Sequence, residues 1–241
     1  MIKLSPRLQI VYDMVPQCSQ VADVGCDHGY LTIALLEGGK ATQAIAMDVN
    51  KGPLQSAQAN ITAAGFSDKA QFRLSNGLEK LEVAEADVIC ICGMGGALIK
   101  RILDAGMEVA RSAGTIIIEP QSEYVMLRQF LVDNHFVILD EDLCTEEGKI
   151  YPIMKIAYDP NSNYSLDDSQ LEYGPVILKK KPELLAVLLE KNKREFTSIL
   201  ETLSEKISSK SNDTDSPIQK RKDELTKELE LIRLIQLEME D

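Results

Sequence analysis

The chain has 241 residues, 44% hydrophobic and 27% charged, the balance of an ordinary globular protein and not of a disordered one. No run approaches the roughly 20 apolar residues of a membrane span, and the start, Met1-Ile-Lys-Leu-Ser-Pro6, lacks the layout of a secretory leader. Five scattered cysteines and two histidines fit neither a disulfide framework nor a zinc-finger spacing, so a reducing cytoplasm, no membrane partner and no bound metal are expected.

The net charge of −12 comes from 26 Lys and Arg against 38 Asp and Glu. It does not exclude a nucleic-acid partner, because binding depends on where the cations sit and not on their sum. Half of them, 13 of 26, stand after residue 160, clustered as Lys179-Lys180-Lys181, as Lys191, Lys193 and Arg194, and as Lys220, Arg221 and Lys222. Taken alone, such runs are the solvated faces of charged helices.

Taken in chain order, the first 160 residues alternate short apolar runs with amphipathic stretches, the signature of βαβ units. Ser5-Pro6 joins a capping hydroxyl to a proline at the first helical position, and Leu8, Val11, Tyr12 and Val15 carry that helix to Pro16. Val21–Val24 reads as a strand, followed by a glycine turn and a helix over Leu31–Leu36 that stops at Gly38-Gly39. A second strand, Ala44–Met47, ends on Asp48, and a helix over Pro53–Ala64 stops at Gly65. Ala70–Leu74 and Asp87–Cys92 are the third and fourth strands, the latter continuously apolar as befits a strand covered on both faces. Gly93-Met94-Gly95-Gly96 breaks that run before a helix over Ala97–Ala105. Thr115–Glu119 is a fifth strand, closed by Pro120, with a helix over Ser122–Asn134. Phe136–Asp140 and Tyr151–Ala157 complete the sheet as two strands separated by an acidic loop, read as an antiparallel hairpin. The fold class is therefore α/β, an open, doubly wound, Rossmann-like sheet.

After the turn residues Asp159–Asn163 the pattern changes. Leucines, isoleucines and Phe196 recur at three-four spacing from Leu184 to Ile207, and again from Leu225 to Met239, on either side of the polar stretch 208–216. Two long helices joined by a short turn predict an antiparallel coiled-coil hairpin over 161–241, with ligand binding left to 1–160. Such a hairpin satisfies its own apolar seam, which favours a monomer.

The unusual residues stand at the carboxyl ends of the strands, where open α/β sheets bind ligands. After the first strand come Asp23, Gly25, Cys26, Asp27, His28, Gly29 and Tyr30. Gly25 and Gly29 let the backbone turn and approach a ligand. The spacing is Gly-x-x-x-Gly, without the middle glycine that admits a pyrophosphate, so a nicotinamide dinucleotide is disfavoured. No Gly-Lys-Ser/Thr marks a nucleoside-triphosphate loop either. An acidic loop of this kind suits a ligand with a cationic end, and S-adenosylmethionine carries both an ammonium and a sulfonium. Asp48, with Val49 behind it, is placed to accept the hydroxyls of a ribose, and Asn76-Gly77 to meet an adenine edge. Singly, an Asp closing a strand is more often a cap or turn residue; the three signals at the strand ends together reverse that reading.

Val21–Leu31, Ala46-Met-Asp-Val-Asn50, Ile91–Gly96 and Glu119-Pro-Gln-Ser122 together resemble the bacterial tRNA (adenine-22)-N1 methyltransferases, the TrmK family. The resemblance covers the whole chain, since that family also ends in a helical hairpin. It implies S-adenosylmethionine in the first three loops, the target adenine near Gly93–Gly96, and tRNA held in part by the hairpin.

The chemistry can be read independently. The fourth-strand element has no carboxamide, proline or aromatic with which to hold an exocyclic amine. N1 of adenine, by contrast, carries an in-plane lone pair and no proton, so alignment with the methyl group matters more than a base. The product is a cation, for which Asp27 is the candidate stabilising carboxylate, the other reading being that it holds the loop or the cofactor's ammonium. His28 is an additional loop hydrogen-bonder or proton acceptor, Tyr30 a stacking platform or a packed helix residue, and Met94 an adaptable cap on a base. Arg7 either reaches a phosphate or is a surface arginine. Cys90 and Cys92 read as small core residues. Two other readings stay open: a methyltransferase acting on another RNA base or a protein, and a non-catalytic, cofactor-binding adaptor.

Overall fold

The computed structural model describes residues 2–207 and 217–240. Seven strands form one sheet in the order β3-β2-β1-β4-β5-β7-β6. They are β1 Cys18–Val24, β2 Ala41–Asp48, β3 Ala70–Leu74, β4 Val88–Met94, β5 Thr115–Pro120, β6 Phe136–Glu146 and β7 Lys149–Tyr158. The first five run parallel. β7 lies antiparallel to both β5 and β6. Helices α1 Pro6–Met14, α2 Tyr30–Glu37, α3 Lys51–Ala63, α4 Gly96–Ala105, α5 Met107–Ser112 and α6 Tyr124–Asp133 cover the faces. They are followed by α7 Asp168–Tyr173, α8 Pro175–Lys180, α9 Glu183–Ile207 and α10 Pro217–Glu240.

The continuous apolar runs follow from burial on both sides of the sheet. Ile45, Met47, Ile89, Ile91, Ile116 and Ile118 pack with Ile99, Leu103 and Leu127. Val21, Ala44, Val88, Cys90 and Ile117 point the other way, onto Val11, Leu31 and Leu35. Cys90 is thus a core side chain. Ser5 caps α1, its hydroxyl accepting from the Leu8 N–H at 3.4 Å, with Pro6 in the first turn.

The last two strands form the expected antiparallel hairpin, and the structure corrects their bounds. Pairing runs without a loop from Phe136↔Tyr158 to Glu146↔Lys149, and only Glu147 and Gly148 turn the chain. Both have positive φ, 51° and 75°, the geometry of a tight two-residue hairpin. The acidic stretch is strand because a register shift between Ile138 and Asp140 resets the alternation there, which a period-two count along the sequence misses.

The chain divides into two compact units, Met1–Val176 and Ile177–Asp241, so residues 161–176 group with the sheet and not with the long helices. The reason is a buried ion pair. Arg128 and Glu141 side chains are 1% and 0% exposed, joined at 3.0 Å. Arg128 Nη1 also donates to the carbonyls of Leu171 and Glu172, both at 2.9 Å, and Glu141 accepts from the Val176 N–H at 3.0 Å. Asp167 starts α7 with a reciprocal capping box through Gln170.

In the second unit, Lys181 donates to the Glu238 carbonyl and Lys193 to Gln236 at 3.3 Å, so the start of α9 lies beside the end of α10. The expected antiparallel pair of helices is present, with Leu189, Leu225 and Ile232 buried. The expected polar turn, 208–216, lies outside the described residues. Among the described residues no helix is long and apolar enough to cross a membrane.

Candidate active site

A cleft of about 430 Å³ opens at the carboxyl ends of β1 to β4, where β1 pairs with β2 on one side and β4 on the other. Its walls hold Asp23, Gly25, Cys26, Asp27, His28, Tyr30, Asp48, Val49, Asn76, Gly77, Gly93, Met94 and Arg7, residues that the sequence singles out and the fold brings together. Gly29 is not among them. Lys191, Lys193, Arg194, Lys220, Arg221 and Lys222 lie in the second unit.

Asp23, at the end of β1, is almost wholly buried and accepts a hydrogen bond from the Thr32 hydroxyl at 2.7 Å. Burial pushes its carboxyl up to about 6, with the Thr32 bond pulling the other way. Gly25 and Gly29 have φ of 78° and 72°. Gly25 lines the cleft beside Met94, whereas Gly29 does not and its open side is filled by α3. A Cβ on Gly25 would lie 2.2 Å from the Met94 methyl, and one on Gly29 would meet Ile61 at 3.0 Å and Ala57 at 3.2 Å. Gly29 therefore lets α2 pack on α3, and Gly25 lets Met94 reach across from the fourth loop.

Asp27 has a φ of 48°, tolerable for a short polar side chain, and presents an exposed carboxylate 3.7 Å from His28 Nε2. The His28 and Tyr30 rings stack with centroids 5.6 Å apart, and Tyr30 is 45% exposed. Asp48 is 8% exposed, and its two oxygens accept from the Asn50 N–H at 2.8 Å and the Asp27 N–H at 3.4 Å. It thus ties the first two loops together. Ser75 donates to the Gly77 carbonyl at 2.9 Å, shaping the third loop, while the Asn76 amide donates to Glu79 at 2.8 Å.

The fourth loop begins at a register shift between Cys92 and Met94, with Gly93 at φ 75°. Glu119, 0% exposed, holds it: Oε2 accepts from the Gly93 N–H and from Arg7 Nη1, each at 2.6 Å. Arg7 Nε donates to Glu146 at 2.7 Å. Arg7 is therefore a paired, four-fifths-covered cation and not a free surface arginine. Burial opposes its charge, the bonds to Glu146 and Glu119 outweigh that, and its pKa is raised. Burial raises the Glu119 carboxyl in turn, against the pull of Arg7 and the Gly93 N–H.

Sequence reasoning missed Leu8, Asn50, Ser75, Leu98, Ile102 and Gln121 as cleft residues. Gln121 carried a signal, lying in the Glu-Pro-Gln-Ser element, and Leu98 and Ile102 share one face of α4. Ser75 carried none.

The lining fits a cationic nucleoside better than a phosphate ester. Among the described residues three carboxylates line it, and Arg7, the one Lys or Arg there, is matched in charge by Glu119 and Glu146. Asp48 at the tip of β2 suits a ribose diol, and Asp23 and Asp27 suit an ammonium. These are acceptors for the ammonium and the ribose hydroxyls of S-adenosylmethionine.

The methyltransferase-domain family matches residues 4–154. Fold, cleft and match define a methyltransferase. Over 239 residues, 96% of each chain, the sequence is 35% identical to the tRNA (adenine(22)-N(1))-methyltransferase of Bacillus subtilis (strain 168). The crystal structure of that organism's m1A22 tRNA methyltransferase TrmK superposes with a TM-score of 0.85 at 30% identity, covering 98% of this chain and 99% of that one. Sp1610 of Streptococcus pneumoniae, solved in complex with S-adenosyl-L-methionine, gives a TM-score of 0.81 at 32% identity over 97% and 99% of the two chains. The chain belongs to the tRNA (adenine(22)-N(1))-methyltransferase family.

Proposed function

We propose that this protein transfers the methyl group of S-adenosylmethionine to N1 of adenine 22 in tRNA. The end-to-end match to the B. subtilis enzyme carries the reading, and the carboxylate-lined cleft is the chemistry it needs. Bound there, S-adenosylmethionine supplies an electrophilic methyl group on a cationic sulfur. Asp23 and Asp27 neutralise the ammonium end, Asp48 accepts from the ribose, and the third loop, with Asn76 and Gly77, borders the adenine.

The acceptor base enters beside Gly93 and Met94. Its N1 lone pair needs no proton removed, so the protein's task is to align and to hold charge. Asp27 faces the charge that develops on the base, and the exposed His28–Tyr30 stack offers a platform for a base taken out of its helix. Arg7, matched in charge by Glu119 and Glu146 but with Nη2 without a protein partner among the described residues, offers that one nitrogen to an RNA phosphate.

The remaining phosphate contacts belong to Lys191, Lys193, Arg194, Lys220, Arg221 and Lys222. Arg194 pairs with Glu190 at 2.8 Å and Arg221 with Glu224 at 3.1 Å, both on exposed helix surface. Such pairs hold weakly in water, so a phosphate can take the carboxylate's place. The protein acts as a monomer in the cytoplasm on this reading.

Transfer of a labelled methyl group to unmodified tRNA, mapped by nuclease digestion and mass spectrometry, tests the proposal. 1-Methyladenosine at position 22 is expected. Label on another base or on protein would move the acceptor, and cofactor binding without transfer would favour the adaptor.

A further inference from the structure

Glu119 is wholly buried, yet its two oxygens are unequally used. Oε2 takes both the Gly93 N–H and Arg7 Nη1, while Oε1 is buried with no partner among the described residues. An ion pair kept only for stability gains by satisfying every buried lone pair, since an unsatisfied one is costly. The arrangement instead concentrates both bonds on one atom. That atom joins the irregular turn of β4 to the guanidinium carried by α1, and Gly93 and Arg7 both line the cleft. Arg7 is gripped through Nη1 and through Nε, which Glu146 holds, leaving Nη2 without a protein partner among the described residues.

We propose that Glu119 is a positioning residue for the methyl transfer, fixing the Gly93 turn and the Arg7 guanidinium relative to one another so that both meet the incoming nucleotide. It acts through Gly93 and Arg7 and touches neither the cofactor nor the base. The inference rests on the reading of the chain as a tRNA methyltransferase. Because burial raises the Glu119 carboxyl, its charge depends on Arg7 and the Gly93 N–H, and protonation loosens the grip on both.

Glu119→Gln removes the charge and keeps the shape. The amide oxygen can stay on the Gly93 N–H, Arg7 loses the carboxylate charge that grips it, and the new NH₂ group brings two buried donors to a position with no partner among the described residues, so a stability measurement accompanies the kinetics. The expected result is a fall in kcat for tRNA of about 10- to 100-fold, with the Kd for S-adenosylmethionine unchanged to within about twofold. The acid limb of the kcat–pH profile that Glu119 contributes should vanish in the same variant. Arg7→Lys keeps the charge and loses the fork, so it should lower kcat in the same sense, and the double variant should be no worse than the more impaired single one.

Wild-type kcat in Glu119→Gln would overturn the proposal, as would loss of cofactor affinity in step with kcat, which marks a staple of the whole cleft. Should Glu119→Gln fail to fold, Arg7→Lys decides alone: reduced kcat with intact cofactor affinity supports the proposal, and unchanged kcat overturns it. A wild-type protein that methylates no tRNA overturns the parent reading first, and so is told apart from an active wild type with an unimpaired variant.

Discussion

In the sheet-bearing unit the decisive charges are buried and shared, whereas the arginines of the helical unit stand in water and pair with carboxylates of their own helices. Glu119, Arg128 and Glu141 are each 1% exposed or less, and each bonds to two or more partners distant in sequence. Arg194, Arg221 and Arg233 instead bond to carboxylates three or four residues away, with side chains 46–78% exposed. A buried charge has one arrangement, and removing either partner strands the other. An exposed charge is one of several nearly equivalent ones, and only their sum acts on a polyanion.

The largest effect should come from the first unit. Arg128→Met leaves Glu141 buried without its cation and frees the 168–176 segment. Chemical denaturation should show a loss of about 3–5 kcal/mol. Arg233→Met, in the second unit, should leave the midpoint where it was. Equal effects would erase the contrast between the units.

Gly96→Ala comes next. A Cβ there would lie 2.4 Å from the Ser122 carbonyl oxygen and 3.0 Å from that of Glu123, both backbone atoms that cannot swing aside. Methyl transfer should drop by about 100-fold as the fourth loop is displaced. An active Gly96→Ala would mean that the loop's position does not matter to the chemistry.

Asp23 sharpens the comparison through pH. Its carboxyl sits near 6 in the fold, above its ordinary value of 3.8, so its contribution to stability is full below about pH 4 and is lost as pH rises through 6. A bound cation favours the ionised form. Cofactor affinity should therefore weaken as pH falls below 6, by up to about tenfold per unit, and be flat in Asp23→Asn. Titration by calorimetry distinguishes the two.

The smallest effects per residue should come from the hairpin. Neutralising Lys191, Lys193, Arg194, Lys220, Arg221 and Lys222 together should weaken tRNA binding and lower the salt slope by roughly one for each phosphate no longer neutralised. Single substitutions should barely register. Unchanged affinity in the sixfold variant would remove the second unit from tRNA recognition.

The fold was legible wherever a local pattern coincided with a tertiary role. The five parallel strands, their order of appearance and the loop residues at their ends could be read, because apolar runs and glycine breaks mark them directly. The β6–β7 hairpin was legible but its strands were read too short, since a bulge shifts the alternation and the acidic stretch reads as loop. Residues 161–176 join the first unit through Arg128 and Glu141, two charges that any sequence pattern places on a surface. Asp23, Asp48 and Gly93 announced the cleft by standing at strand ends. Glu119 stood in a recognised element, but its burial and its bond to Arg7, 112 positions away, exist only in three dimensions.

Attack by a ring nitrogen that carries no proton is the central claim, and one substrate isolates it. A tRNA with 1-deazaadenine at position 22 keeps the base's shape and its exocyclic amine while removing the attacking atom. Methyl transfer should occur on the adenine-containing tRNA and be abolished on the deaza form. Transfer that persists on 1-deazaadenine would contradict the claim and assign the chemistry to another atom.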